Sequence, residues 1–140
     1  MPKWSDTAFM LETPLTMVRE FSKAMGQPLD LEHPPANGTY VEAQHEAVKL
    51  RKRLITEEYT EVVDAIEQEP DESVLKELAD LVYVTYGYAA TFGWDLDEAV
   101  RRVHASNMSK LGADGKPIYR DDGKVLKSEN YKKPDLKDLV

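Results

Sequence analysis

The sequence predicts an all-α fold of four main helices, followed by a small β-hairpin and tail. Three observations carry that reading. From Leu78 to Trp94 the chain runs LADLVYVTYGYAATFGW, seventeen residues with one charge, Asp80, and no proline. Such a run is too long for one strand, and a helix apolar on nearly all sides must be buried against its own chain or a second copy. Upstream and downstream, apolar residues recur at helical spacing and are punctuated by Gly and Pro where helices stop. Near the end, Asp121-Asp122-Gly123 stands between Pro117-Ile118-Tyr119-Arg120 and Lys124-Val125-Leu126-Lys127, which signals a two-stranded hairpin.

The elements follow in order. Residues 1 to 12 give no firm signal. Thr13-Pro14 reads as an N-cap with Pro at the first helical position, opening a helix to about Met25 with Leu15, Val18, Phe21, Ala24 and Met25 on its apolar stripe. Gly26 to Gly38, GQPLDLEHPPANG, is the longest connection; loops of this length are often functional or pinned by packing. The second helix is expected from near Thr39 to Glu67, with Val41, Val48, Leu54 or Ile55, Tyr59, Val62 and Ile66 as its core face. Pro70 stops it, Asp71 caps the third helix, and Gly93 ends that helix after Phe92. Asp95, with Glu98 three residues on, opens a fourth helix to about Met108, with Leu96, Ala99, Val100 and Val103 inward.

Bulk properties narrow the function. A chain of 140 residues, 41% hydrophobic and 31% charged, suits one soluble globular domain with a real core. A net charge of −8 disfavours nucleic-acid binding through a general basic surface. No run reaches the length of a membrane span, and the first residues, MPKWSDTAFMLETP, lack the apolar core of a signal peptide, so a cytoplasmic protein is expected. Without Cys there are no disulfides or thiolate metal sites.

The chemistry lies in the acids. Glu57, Glu58 and Glu61 occupy adjoining faces of one turn of the second helix, and Glu77 and Asp80 share a face of the third at the i,i+3 spacing. Glu61 and Glu77 are nearly equidistant from the turn at Glu69-Pro70-Asp71, so in an antiparallel helix pair the two acid pairs face each other. In a chain this acidic, one ExxE is usually a solvated helix face. Asp80, however, lies within an apolar run, where a lone carboxylate must be protonated, ion-paired or bound to metal. Four converging carboxylates suit a hard divalent cation, Mg2+ or Mn2+.

The motif TEEYTE followed by ELADLVYV resembles the EExxE…ExxD signature of the all-α, MazG-like nucleoside triphosphate pyrophosphohydrolases, the superfamily that includes dimeric dUTPases and phosphoribosyl-ATP pyrophosphohydrolase. HASNMSK and DGKVLKSENYKKPDL are similar to the tail of its short bacterial and phage members. The resemblance implies a four-helix bundle and Mg2+-dependent cleavage between the α and β phosphates, giving a nucleoside monophosphate and pyrophosphate, with Mn2+ able to substitute. It implies a deoxynucleotide substrate, either a purine such as dGTP or dUTP. Glu58, Glu61, Glu77 and Asp80 match the metal ligands. Glu57 and Glu58 match the catalytic acids, with Glu57 orienting or deprotonating the attacking water. Asn107, Lys110, Lys124, Lys127 and Tyr131 match positions that bind the substrate phosphates and sugar or close over it. On this reading residues 1–140 form a single MazG-like domain, with an N-terminal helix and loop at 1–39, catalytic helices at 40–110, and hairpin and tail at 111–140.

The residues also admit other readings. A di-iron bundle needs two Glu-x-x-His motifs, and only Glu42–His45 qualifies. Lys49, Arg51, Lys52 and Arg53 read as an ordinary solvated basic face. Trp4, Phe21 and Trp94 are candidates to stack on a base, though each residue type is more often core. A non-catalytic helical dimerisation or nucleotide-sensing module is the alternative from another class. The apolar positions of the third helix, including Tyr83, Tyr86 and Tyr88, exceed what one chain easily covers, which predicts a homo-oligomer, a dimer or a dimer of dimers.

Overall fold

The structure is a computed structural model and describes residues 12–36 and 42–140. Its helices are α1 (Pro14–Ala24), α2 (Glu42–Gln68), α3 (Asp71–Thr91) and α4 (Leu96–Met108). Two short strands follow, β1 (Ile118–Tyr119) and β2 (Val125–Leu126), and then a 3-10 turn at Lys137–Leu139. The all-α expectation with a small antiparallel hairpin holds. The chain divides into two compact units, one reaching Asp95 and one comprising Leu96–Val140.

In the first unit α1 and α2 both pack on α3. The start of α1 is a reciprocal cap: the Thr13 hydroxyl accepts from the Thr16 amide at 3.2 Å, and the Thr16 hydroxyl accepts from the Thr13 amide at 2.8 Å. Met25 caps its end, and Gly26 follows at φ 67. The loop after α1 is pinned by packing. The amides of Asp30 and Leu31 donate to the carbonyls of Ala90 and Thr91 at 3.2 and 2.8 Å, closing off the last turn of α3. His33 Nε2 lies 2.6 Å from the Tyr88 hydroxyl, and its ring packs against Phe92 and Trp94 at 4.6 and 4.7 Å. Trp94 is thus part of an aromatic cluster that anchors the loop.

Three expectations are corrected here. The N-cap of α3 is Pro70, and Asp71 is its first helical residue. The core stripe of α2 is Ala47, Arg51, Val62 and Ala65, with Leu54 and Glu58 half-buried in phase; Tyr59 and Ile66 are 59% and 62% exposed. Ala47 and Ala65 are thus buried on α2 beside Val62 and Arg51, while Tyr59 and Ile66 face out. Finally, α3 is buried mainly from Tyr86 to Phe92, while Leu78, Val82 and Tyr83 are exposed in this single chain. Trp4, Thr39 and Val41 lie outside the described residues.

The second unit is a helix with the tail laid back along it. The Ser106 hydroxyl donates to the Lys132 carbonyl at 2.7 Å, and the Lys132 amide donates to the Ser109 hydroxyl at 2.8 Å. Arg102 donates to both carboxylate oxygens of Asp138 at 2.6 and 3.1 Å. In the hairpin Ile118 pairs with Leu126 and Tyr119 with Val125, around a turn whose Gly123 has φ 89. Along α4, Ser106 is buried, whereas Val100 and Val103 are exposed.

Candidate metal centre

The antiparallel α2–α3 pair brings the acids together. Glu58, Glu77 and Asp80 each offer a carboxylate oxygen, all within 4.8 Å of one another. Glu77 is 9% exposed, held inward because α3 turns this face toward α2. Glu58 Oε2 and Glu77 Oε2 are buried and have no hydrogen-bond partner. A carboxylate oxygen removed from water without a donor is costly, so two of them in one acid cluster call for a positive charge.

Glu61 stands at the exposed edge of this group. The nearby Glu77 carboxylate, with which a proton on Glu61 would be shared, is the largest influence on it, and the charges of Glu58 and Glu77 add to it; together they raise its pKa. That is the behaviour of like charges sharing a site. Lys76 is the cation sequence reasoning missed. Its ammonium donates to Asp80 Oδ2 at 2.8 Å and to Glu77 Oε1 at 3.1 Å, and the bonds to Asp80 and then Glu77 hold its pKa well above the ordinary lysine value. The i,i+4 spacing to Asp80 was the available signal. Lys76 satisfies the outer oxygens and leaves the two inner ones, on Glu58 and Glu77, without a donor.

The donor set fits a hard divalent ion: all-oxygen, carboxylate, drawn from two rigid helices. Glu58, Glu77 and Asp80 are positioned to hold it, with Glu61 adjacent. Glu57 is not in that group; its carboxylate is exposed, 3.8 Å from Arg53 Nε, in an open groove of about 560 Å³ that Lys52, Thr56, Thr60 and Glu61 also line.

The remaining candidates belong to the second unit. Lys127 and Tyr131 meet there, the Lys127 ammonium 4.7 Å above the Tyr131 ring. Lys127 also borders an open groove of about 550 Å³ with Ser128 and Pro117. Asn107 and Lys124 are exposed and Lys110 is half-buried.

Residues 18–107 match the family model for phosphoribosyl-ATP pyrophosphohydrolase. The chain belongs to the phosphoribosyl-ATP pyrophosphohydrolase family. This family lies within the MazG-like superfamily that the acid motif resembles. The matched span contains all five acids and ends at Asn107, so Lys110, Lys124, Lys127 and Tyr131 fall beyond it. The family's description names a pyrophosphohydrolase, and the acid cluster supplies oxygen ligands of the kind a metal takes. The chain is also similar to the uncharacterized protein L479 of Acanthamoeba polyphaga mimivirus, 31% identical over 130 residues. That match takes in 88% of this chain and 46% of the viral protein, so the chain spans about half the length of that relative. Among the described residues no helix is long and apolar enough to cross a membrane.

Proposed function

We propose that this chain is a Mg2+-dependent nucleoside triphosphate pyrophosphohydrolase that cleaves between the α and β phosphates of a deoxynucleotide, either dUTP or a purine deoxynucleotide such as dGTP. The observation that carries the reading is that Glu58, Glu77 and Asp80 bring carboxylate oxygens within 4.8 Å of one another, while Glu58 and Glu77 each keep a buried oxygen without a donor. Glu58, Glu77 and Asp80, with Glu61 beside them, hold the metal. Bound there, Mg2+ neutralises phosphate charge that the acids alone would repel, and makes water easier to deprotonate.

The chain's own groups do the rest. Glu57 orients the attacking water and takes its proton. The water oxygen bonds to the α phosphorus, the bond to the α–β bridging oxygen breaks, and pyrophosphate leaves. Lys110, Lys124 and Lys127 offer point charges to the phosphates, Asn107 meets the sugar, and Tyr131 closes over the substrate. We further propose that the active form is a homo-oligomer of this one domain in the cytoplasm. Leu75, Leu78 and Val82 of α3 and Val63 and Ile66 of α2 are exposed here and would be covered by a second copy.

The test is a panel of NTPs and dNTPs with Mg2+, assayed for pyrophosphate and orthophosphate. The enzyme releases pyrophosphate alone, and Glu58→Gln or Asp80→Asn stops it. Release of neither product from any nucleotide supports the binding-module alternative, for which Lys76 would serve as the permanent counter-ion of the acids.

A further inference from the structure

A second buried polar group lies two turns from the acids. Arg51 is 5% exposed, and burial lowers its pKa below the usual arginine value. Among the described residues it has no carboxylate within ion-pair distance, and its one acceptor is Gln27 Oε1, at 3.2 Å from Nη2. A guanidinium carries five N–H donors, so most of its fork is unused. It lines a cavity of about 100 Å³ together with Ser22, Gln27, Phe21, Tyr83 and Gly87. Phe21 and Tyr83 meet edge to face at 5.7 Å and are each about two-fifths exposed, so flat apolar rings stand in the cavity wall. Gly87 keeps the site open: a Cβ there would lie 2.6 Å from Arg51 Nη1.

The placement relative to the acids is fixed by helical register. Arg51 precedes Glu58 by seven residues on α2, and Gly87 follows Asp80 by seven on α3. Because the helices are antiparallel, both steps run the same way, two turns or about 10 Å from the acids. An extended nucleotide bridges such a span with its phosphates at one end and its base at the other.

We propose that this cavity receives one edge of the nucleobase, and that Arg51, held by Gln27, selects a base whose edge presents two adjacent acceptors. This rests on the nucleotide reading above. The Arg51 fork supplies two donors, and Gln27 Oε1, which accepts from Arg51 Nη2 and from the Ser22 hydroxyl at 3.3 Å, holds that fork in place. Guanine offers N7 and O6 side by side, and cytosine offers O2 and N3. Adenine and uracil or thymine alternate acceptor and donor along the corresponding edge, so they meet Arg51 with a donor where it needs an acceptor. The Phe21 and Tyr83 rings, in contact with each other, then form one apolar wall beside the base.

The experiment measures binding of dGMP, dCMP, dAMP and dTMP to the full chain by calorimetry, which needs no turnover. Either dGMP or dCMP is expected to bind at least about tenfold tighter than dAMP and dTMP, the value of one good bidentate contact; which of the two binds tighter identifies the base. Arg51→Lys keeps the charge, loses the fork and levels the four affinities. Gly87→Ala, which pushes the guanidinium aside, does the same. Equal affinities in the wild-type chain, no binding of any of the four, preference for dAMP or dTMP, or a preference that survives Arg51→Lys overturns the proposal; the wild-type comparison suffices if a variant fails to fold. Equal pyrophosphate release from all four triphosphates sinks this assignment and leaves the enzymatic reading intact. Selective dGMP or dCMP binding without any release does the reverse.

Discussion

Replacing Glu58 by Gln separates a metal site from a structural acid cluster, because the two predict opposite signs. Glu58, Glu77 and Asp80 present oxygens within 4.8 Å of one another. Two unit charges at that distance repel by about 3 kcal/mol at an effective dielectric of 20. Glu58 is half-buried, so solvent screens much of this, and about 1 kcal/mol per relieved contact is a fair magnitude. Glu58→Gln keeps the shape, removes one charge and supplies an amide donor to a cluster with partnerless oxygens. In chelator the variant should therefore melt higher than the wild type, by roughly 6 °C for two relieved contacts in a chain of this size. Mg2+ reverses the order. At a hundred times its Kd it stabilises the wild type by about 2.7 kcal/mol, roughly 8 °C, and the variant gains little. Thermal melts in EDTA and across a Mg2+ titration read both effects. A variant that melts below the wild type in EDTA, with Mg2+ raising the two alike, refutes the reasoning.

Other expectations follow from neighbouring residues. Because Glu77 and Glu58 raise the pKa of Glu61, the folded chain holds a proton there that the unfolded chain has released; metal-free stability should thus fall as pH rises from the ordinary Glu value through the raised one, and a pH series of melts in EDTA checks the sign. Lys76→Met removes the ammonium that occupies Asp80 and Glu77, so calorimetry should find Mg2+ bound severalfold tighter; an unchanged Kd means Lys76 does not compete for these oxygens. Arg19 grips Asp30 with two bonds of 2.8 Å and lowers its pKa, so this pair's contribution is present above the ordinary Asp value and is lost as pH falls through the lowered one. Asp30→Asn should cost no more than about 1 kcal/mol, since the pair is exposed. Asp30→Val should cost about 1–2 kcal/mol more, because residue 30 has φ 58, where a branched side chain is strained. Urea melts compare the two.

The helix ends were legible because they are written in local chemistry. Thr13-Pro14, Gly26, Pro70 and Gly93 each act within a turn of their own position, and the structure puts helix boundaries beside all four. The acid cluster was legible for a different reason: a carboxylate inside an apolar helix demands a partner. The face of α2 was not. Its large residues, Tyr59 and Ile66, marked one stripe and its small ones, Ala47 and Ala65, another; close helix approach chose the small. Arg51 was hidden in the basic run from Lys49 to Arg53 and read as solvated. It stands in phase with Ala47, Leu54, Glu58, Val62 and Ala65, a pattern visible only once the stripe is known. The tail has no period to read, because Ser106, Ser109 and Ser128 tie it down through single side-chain bonds to backbone groups.

The most direct test of the central claim is a titration of the chain with Mn2+, followed by electron paramagnetic resonance of the free ion. The account predicts that the wild type depletes free Mn2+, that Mg2+ displaces it, and that Asp80→Asn and Glu58→Gln each abolish the depletion while retaining the helical circular dichroism of the parent. Wild-type chain that leaves the free Mn2+ signal untouched, or variants that deplete it as the parent does, would contradict it.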